Sequence, residues 1–422
     1  MKLELKKGHD HLKLALPDDR IIGVIEGKDI PALPLSDAKS IISAGVRLHA
    51  PAKLSGKKIV IIVPDNTRLW ARGDLFVPEI INTLVENGAT SENVTILIAL
   101  GTHQDLPLET FPSLVGSAVA KKYQVINSAN KNQERLVEIG TTSRGTRVTI
   151  SREACEADHI IIFGGLLHHL IAGFGGGRKY ILPGIAGYKS IQQNHALAFL
   201  PDGSPHSKVQ QGILEGNPIH EDMQEAAEMF LAGKTSTFVG VAVNGKGEIF
   251  YANAGELEEI FQEGCQEVNR ACCVSINELA DFALISAGGY RTDGQLYQAT
   301  KALFNAVHAV KPGGKILFVA EAAEGIGNTE FGEVLSQYKN QPEKIGKVLN
   351  KIFSMPAYVA YRVADLLNRF EVTLVSNFSK TETENYGFMY VDNPAGFVNS
   401  LTGKGFAIPY AENILPIVKG LK

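Results

Sequence analysis

Four runs of β-branched and apolar residues each end in a side chain able to do chemistry. IVIIVP leads into Asp65, Asn66, Thr67 and Arg68, and VTILIAL leads into Gly-Thr-His103. HIIIFGGLL leads into His168 and His169, and FALISA into Gly-Gly-Tyr290. Imidazole titrates near neutrality, so it suits a group that must act as both acid and base. In its neutral form it also ligates nickel or zinc. An arginine after a strand is able to grip a carboxylate through two parallel N–H donors. Plainer readings stand beside these: an Asp-capped helix start with a surface arginine, and a loop histidine of no consequence.

The longest suggestive stretch is HHLIAGFGGGRKYILPGIAGYKSIQQNH, residues 168 to 195. Gly173, Gly175, Gly176 and Gly177 precede Arg178 and Lys179. Such glycines let backbone N–H groups approach an anion, and the basic pair adds charge where a phosphate or carboxylate would sit. The segment is not a P-loop, because Tyr180 stands where Ser or Thr would meet magnesium. It is not a dinucleotide fingerprint either, since Pro183 interrupts any helix. A tight surface loop with a solvated basic pair remains open on residue types alone. His195 falls in a stretch of helical period, where a lone histidine is more often structural than a ligand. Neither HExxH nor CxxC occurs, so an ordinary zinc site has no support. Downstream, Tyr297, Gln298 and Lys301 are spaced to share one side of a helix, as they would in any amphipathic helix.

The elements that position these residues read as βα units. Short β-branched runs alternate with helical periods, the pattern of a mostly parallel sheet, and ligands of such sheets bind outside the carboxyl ends of the strands. The fold class expected is α/β, with two α/β domains, mostly parallel sheets and the active site in the cleft between them. The first domain is expected over 1–275 and a smaller one over 276–394. The tail, 395–422, is expected to pack back on the first. At 422 residues the chain is long for one domain, and 45% hydrophobic with 20% charged residues is ordinary for a protein with a core. The net charge of −4 gives no case for nucleic acid, and no apolar run is long enough for a membrane. Cys155, Cys265, Cys272 and Cys273 form no CxxC pair and read as reduced thiols of a cytoplasmic protein.

Taken together, DNTR, GTH, HHLIAGFGGGRK, the NH pair ending sixteen residues after Lys179, and YQATK resemble the nickel-dependent lactate racemase family in order and spacing. The resemblance covers most of the chain. It implies a racemase or epimerase that inverts C2 of a 2-hydroxy acid, lactate or another short one. The reaction would be hydride transfer to a nickel pincer nucleotide, a pyridinium-3,5-bisthiocarboxylic acid mononucleotide. It implies that Lys179 carries this cofactor covalently and that His195 ligates the nickel, whose other ligands the cofactor supplies. His103 and His169 would be the catalytic acid/bases. Asp65, Asn66, Thr67 and Arg68 would line the cofactor and substrate, with Arg68 on the substrate carboxylate. Tyr297, Gln298 and Lys301 would be substrate contacts. The partners implied are the small hydroxy acid and the enzymes that supply the cofactor.

Two departures bear on the substrate. Gln104 stands where many relatives have arginine, and Tyr358 falls where the lactate enzyme has a tryptophan; the only tryptophan here is Trp70. They open an alternative, an epimerase of a longer or sugar-derived hydroxy acid using the same chemistry. Outside that chemistry, a nickel-independent phosphate- or nucleotide-binding protein would use the glycine-rich basic loop alone.

Overall fold

The computed structural model describes residues 2–420, apart from the side chains of Asp18 and Asn413. The chain divides into two compact units. One comprises Asp29–Leu200 and Pro205–Arg270; the other comprises Met1–Lys28, Pro201–Ser204 and Ala271–Lys422.

The unit carrying residues 29–270 is built on a six-stranded sheet. Its order is Ile249–Gly255, Thr235–Val243, His159–Gly165, Ile59–Pro64, Val94–Ala99 and Gln124–Asn127. All neighbours are parallel except the Ile249–Gly255 edge, which returns antiparallel along Thr235–Val243. Parallel strands covered on both faces need apolar side chains on both, and every residue of Ile59–Pro64 is buried. Helix Leu35–His49 buries Ala38, Ile42 and Val46, one per turn, into this core beside Phe76, Val77 and Ile80 of helix Gly73–Glu86. Ile59 lies opposite both Val94 and His159, so these three strands start level and end level. Asp65, the Gly101–His103 loop and the His168–His169 pair therefore leave the same edge of one sheet.

The other unit has a second six-stranded sheet, all parallel. Its order is Met389–Tyr390, Glu371–Val375, Val310–Val319, Ala280–Ser286, Gly405–Ile408 and Ile21–Val24. The grouping differs from the expected bounds at the chain's ends: residues 1–28 and the tail from 395 both fall in the unit that carries residues 271–422. Lys2–Lys7 and Asp10–Ala15 form an antiparallel ribbon. Its Leu3, Leu5, Leu14 and Leu16 are buried with Phe282, Leu284 and Leu317 of the second sheet. Gly405–Ile408 is an interior strand of that sheet and pairs Ile21–Val24 on its far side. Alternating leucines in an N-terminal ribbon need a sheet face to cover, and this sheet supplies it. The four cysteines form no disulfide. No helix among the described residues is long and apolar enough to cross a membrane.

Candidate active site

Asp65 follows strand Ile59–Pro64 and is only 2% exposed. Its Oδ1 accepts from the Thr67 backbone N–H at 3.2 Å, capping the 3-10 turn Asn66–Ala71. The same oxygen accepts from Thr67 Oγ1 at 2.5 Å and from Arg68 Nη1 at 3.5 Å. Its Oδ2 takes the Nδ1 side of His103. Burial alone would raise this carboxyl, but the hydrogen bonds from His103 and Thr67 and the Arg68 charge outweigh it and hold it below its ordinary value. The loop carrying His103 is fixed from beneath. Asn130 Nδ2 donates to the carbonyls of Gly101 and His103 at 3.0 and 2.9 Å. The His103 side chain itself is half exposed, at 51%.

His168 and His169 lie on Leu167–His169, paired antiparallel with Gly173–Gly175. The two imidazoles have different work. His168 donates from Nε2 to Asn269 Oδ1 at 2.8 Å and packs its ring against Phe174. His169 accepts at Nδ1 from the backbone N–H groups of Ile171 and Ala172, both at 3.3 Å. Burial, then Lys179 and Arg68, keep its imidazolium unfavourable, well below the ordinary range.

Lys179 sits in the 3-10 turn Gly177–Tyr180 and is 8% exposed. Burial, then the Arg68 and Arg178 charges, push its ammonium well below its ordinary value, which favours the nucleophilic free amine. The turn is seated on the end of the third strand, because the Gly165 N–H donates to the Tyr180 hydroxyl at 2.9 Å. A Cβ on Gly164 would lie 2.1 Å from the Tyr180 ring, and one on Gly165 would lie 2.1 Å from the ring of Trp70. His195, on helix Tyr188–Ala196, is 5% exposed, and burial followed by the Lys179 charge pushes its ring down to about 3. A ring that stays neutral keeps a lone pair for a metal. Asn194 beside it donates to Asp222 Oδ2 at 2.8 Å, and Thr142 and Thr146 hold the same carboxylate at 2.5 and 2.8 Å. Neither that network nor Asn130 was singled out in the sequence. An asparagine just before the NH histidine and another after Gln124–Asn127 were the available signals.

The plainer reading of a solvated basic pair on a surface loop, left open by residue types, does not hold. Gly173–Gly177 are buried, and Arg178 has no exposed surface. Arg178 Nη2 donates to the carbonyls of Ala172 and Phe174 at 3.0 and 3.5 Å, and its guanidinium lies 4.1 Å from the centre of the Phe261 ring. The glycines serve this folding-back: Gly176 and Gly177 take φ of 104° and 52°, and a Cβ at Gly175 would press on Leu167 at 2.7 Å.

The sequence-assigned residues thus divide. Asp65, Thr67, Arg68 and His103 are joined by hydrogen bonds, and Arg68, His169, Lys179 and His195 are joined by mutual electrostatic influence. Asn66 is exposed on the same turn. Tyr297, Gln298 and Lys301 belong to the other unit, on helix Leu296–Ala306, where Gln298 and Lys301 are exposed and Tyr297 packs edge-on against Phe331. Tyr358, at the position where the lactate enzyme has a tryptophan, is 1% exposed and packed against Phe353 and Tyr361.

The donor set fits the cofactor that the resemblance implies. It combines a buried amine and a buried imidazole, both shifted towards their neutral forms, beside Arg68, with no carboxylate in ion-pair reach of Lys179 among the described residues. Such a setting favours an anionic group attached through nitrogen. No cluster of three or more His, Cys, Asp or Glu able to hold a metal occurs among the described residues, so a metal would take most of its ligands from a bound group.

Fold and site define a two-unit α/β protein with ionisable side chains gathered at the carboxyl edge of a parallel sheet. Comparison with known proteins makes the class specific. A lactate racemase N-terminal domain matches residues 7–207, and a lactate racemase C-terminal domain matches 276–393. The chain is 30% identical to the lactate racemase of Thermoanaerobacterium thermosaccharolyticum, over 98% of this chain and 95% of that one. It is 32% identical to the lactate racemase of Lactiplantibacillus plantarum, over 69% of this chain and 66% of that one. The structure of the Thermoanaerobacterium lactate racemase apoprotein superposes with a TM-score of 0.86 at 27% identity, covering 99% of this chain and all of that one. A Thermotoga maritima crystal structure, at 17% identity and a TM-score of 0.64, shares the fold. The chain belongs to the lactate racemase family and is an isomerase.

Proposed function

We propose that the chain racemises lactate or another short 2-hydroxy acid, with Lys179 tethering a nickel pincer nucleotide and His195 ligating its nickel. The observation that carries this reading is the buried Lys179 amine, whose ammonium is pushed well below its ordinary value by burial and then by Arg68 and Arg178, with no carboxylate in ion-pair reach of it among the described residues. When bound, the cofactor would accept the C2 hydrogen as hydride and return it to either face of the resulting 2-keto acid. The chain's own residues do the rest. Among the described residues only Nη1 of Arg68 is bonded by protein, which leaves Nε and Nη2 for the substrate carboxylate. His103 and His169 handle the hydroxyl proton, one for each orientation of the oxygen. Gln298 and Lys301, with Tyr297 beside them, keep the substrate contacts that the resemblance implies.

A longer or sugar-derived hydroxy acid is the second reading, favoured by the exposed Gln104 in place of an arginine. The test is racemisation or epimerisation of a panel of 2-hydroxy acids by chain isolated from cells that make the cofactor. Inversion at C2 of at least one acid is expected, and its loss in Lys179→Ala. Full activity in Lys179→Ala would contradict the tether.

A further inference from the structure

Which nitrogen of each site histidine carries the proton is dictated by what the other nitrogen touches. At His103 the neighbour of Nδ1 is the Asp65 carboxylate, held in its ionised form by Thr67, Arg68 and His103 itself. An ionised carboxylate only accepts, so Nδ1 bears the hydrogen, and in the neutral ring Nε2 is bare. At His169 the neighbours of Nδ1 are two backbone N–H groups, of Ile171 and Ala172, each 3.3 Å away. A backbone N–H only donates, so here Nδ1 is bare and the neutral ring carries its hydrogen on Nε2. No protein group among the described residues bonds Nε2 of either ring.

We infer that the two acid/base histidines rest in opposite tautomers, His103 presenting a bare Nε2 and His169 an Nε2–H, and that Asp65 is the positioning residue that sets this difference. The inference rests on the proposed function only in taking both rings to face the reacting oxygen. A hydroxyl turned to His103 finds an acceptor. The O–H bond breaks, an N–H bond forms at Nε2, and the new imidazolium keeps its Nδ1–H on Asp65 while the oxygen retains the electron pair that becomes part of the carbonyl. A hydroxyl turned to His169 finds a donor. For His169 to accept a proton there, its own hydrogen must first leave Nε2 for Nδ1, and the contacts from Ile171 and Ala172 must open. The two halves of the reaction are therefore unlike at the level of the protein, although their products are mirror images. Asp65 is thereby reassigned from lining a bound group to orienting an imidazole, the role for which both of its oxygens are already engaged.

Histidine-labelled full chain, ¹⁵N at both ring nitrogens and free of cofactor, tests this by two-bond ¹H–¹⁵N correlation. Spectra are taken at a pH where both rings are neutral and assigned with His103→Gln and His169→Gln. The expected patterns are Nδ1–H for His103 and Nε2–H for His169. In Asp65→Asn the amide donates to Nδ1, so His103 switches to Nε2–H while His169 keeps its pattern. In the loaded enzyme that substitution lowers kcat by roughly a thousandfold or more with KM little changed. The same tautomer in both rings, or a His103 pattern indifferent to Asp65→Asn, overturns the inference. Opposite tautomers in a loaded protein that inverts no hydroxy acid would instead overturn the proposed function and leave the tautomer assignment standing.

Discussion

His103 and His169 carry the same side chain in opposite settings. One is half exposed with a carboxylate behind it; the other is partly buried, among cations and backbone donors. That contrast was invisible in the sequence, because Asp65 lies 38 positions before His103 and only the level ends of two strands bring them together. The candidates themselves were legible, since GTH and HH follow strands that any reading of β-branched runs would mark. Arg178 was misjudged for a related reason. A basic pair after glycines suggests solvent or an anion, whereas the folded loop turns Arg178 inward onto Phe261 and leaves only Lys179 in the site. At this scale the account predicts that His103→Ala and His169→Ala each lose inversion by at least a hundredfold. Both variants should retain the mass of the bound cofactor. A normal rate in either variant removes that histidine from the mechanism.

The turn Gly177–Tyr180 acts as a seat whose fit depends on what lies beneath it. Gly164 and Gly165 have no side chains, so the rings of Tyr180 and Trp70 rest directly on strand backbone. The Tyr180 hydroxyl also takes the Gly165 N–H. Tyr180→Phe leaves that buried N–H without its partner and should cost about 1–3 kcal/mol of stability, read as a lower urea midpoint with unchanged slope. An unchanged midpoint would show that the turn is held by packing alone. Helix Tyr188–Ala196 is seated in a similar way, through Asn194 on the fully buried Asp222. Strands, helices and their order could be read from periodicity. These polar seats could not, since each joins residues far apart in sequence through one or a few hydrogen bonds.

Over the whole molecule, the two parallel sheets were expected, and the affiliation of the chain's ends was not. The ribbon Lys2–Ala15 and the strand Gly405–Ile408 are short and carry no motif, and only the uncovered face and edge of the second sheet explain where they lie. Burial of neutral histidines gives the whole protein an acid limit. His159 has no exposed surface, and burial pushes its ring from the ordinary 6.5 to about 4, against the Thr235 hydrogen bond. Between those values the unfolded chain binds a proton that the folded chain refuses, so stability falls as the pH falls from 6.5 towards 4 and the contribution levels off below. The loss from this one ring is about 3 kcal/mol. Unfolding midpoints of the wild-type chain should decline over that window, and His159→Gln should flatten the decline. An equal slope in the variant would assign the acid sensitivity elsewhere.

The proposed function turns on the buried amine of Lys179. Peptide mapping by mass spectrometry of the chain isolated from cells that make the cofactor tests it directly. The account predicts an added mass confined to the peptide containing Lys179, with nickel in the intact protein. A cofactor-loaded, active protein whose Lys179 peptide is unmodified would contradict it.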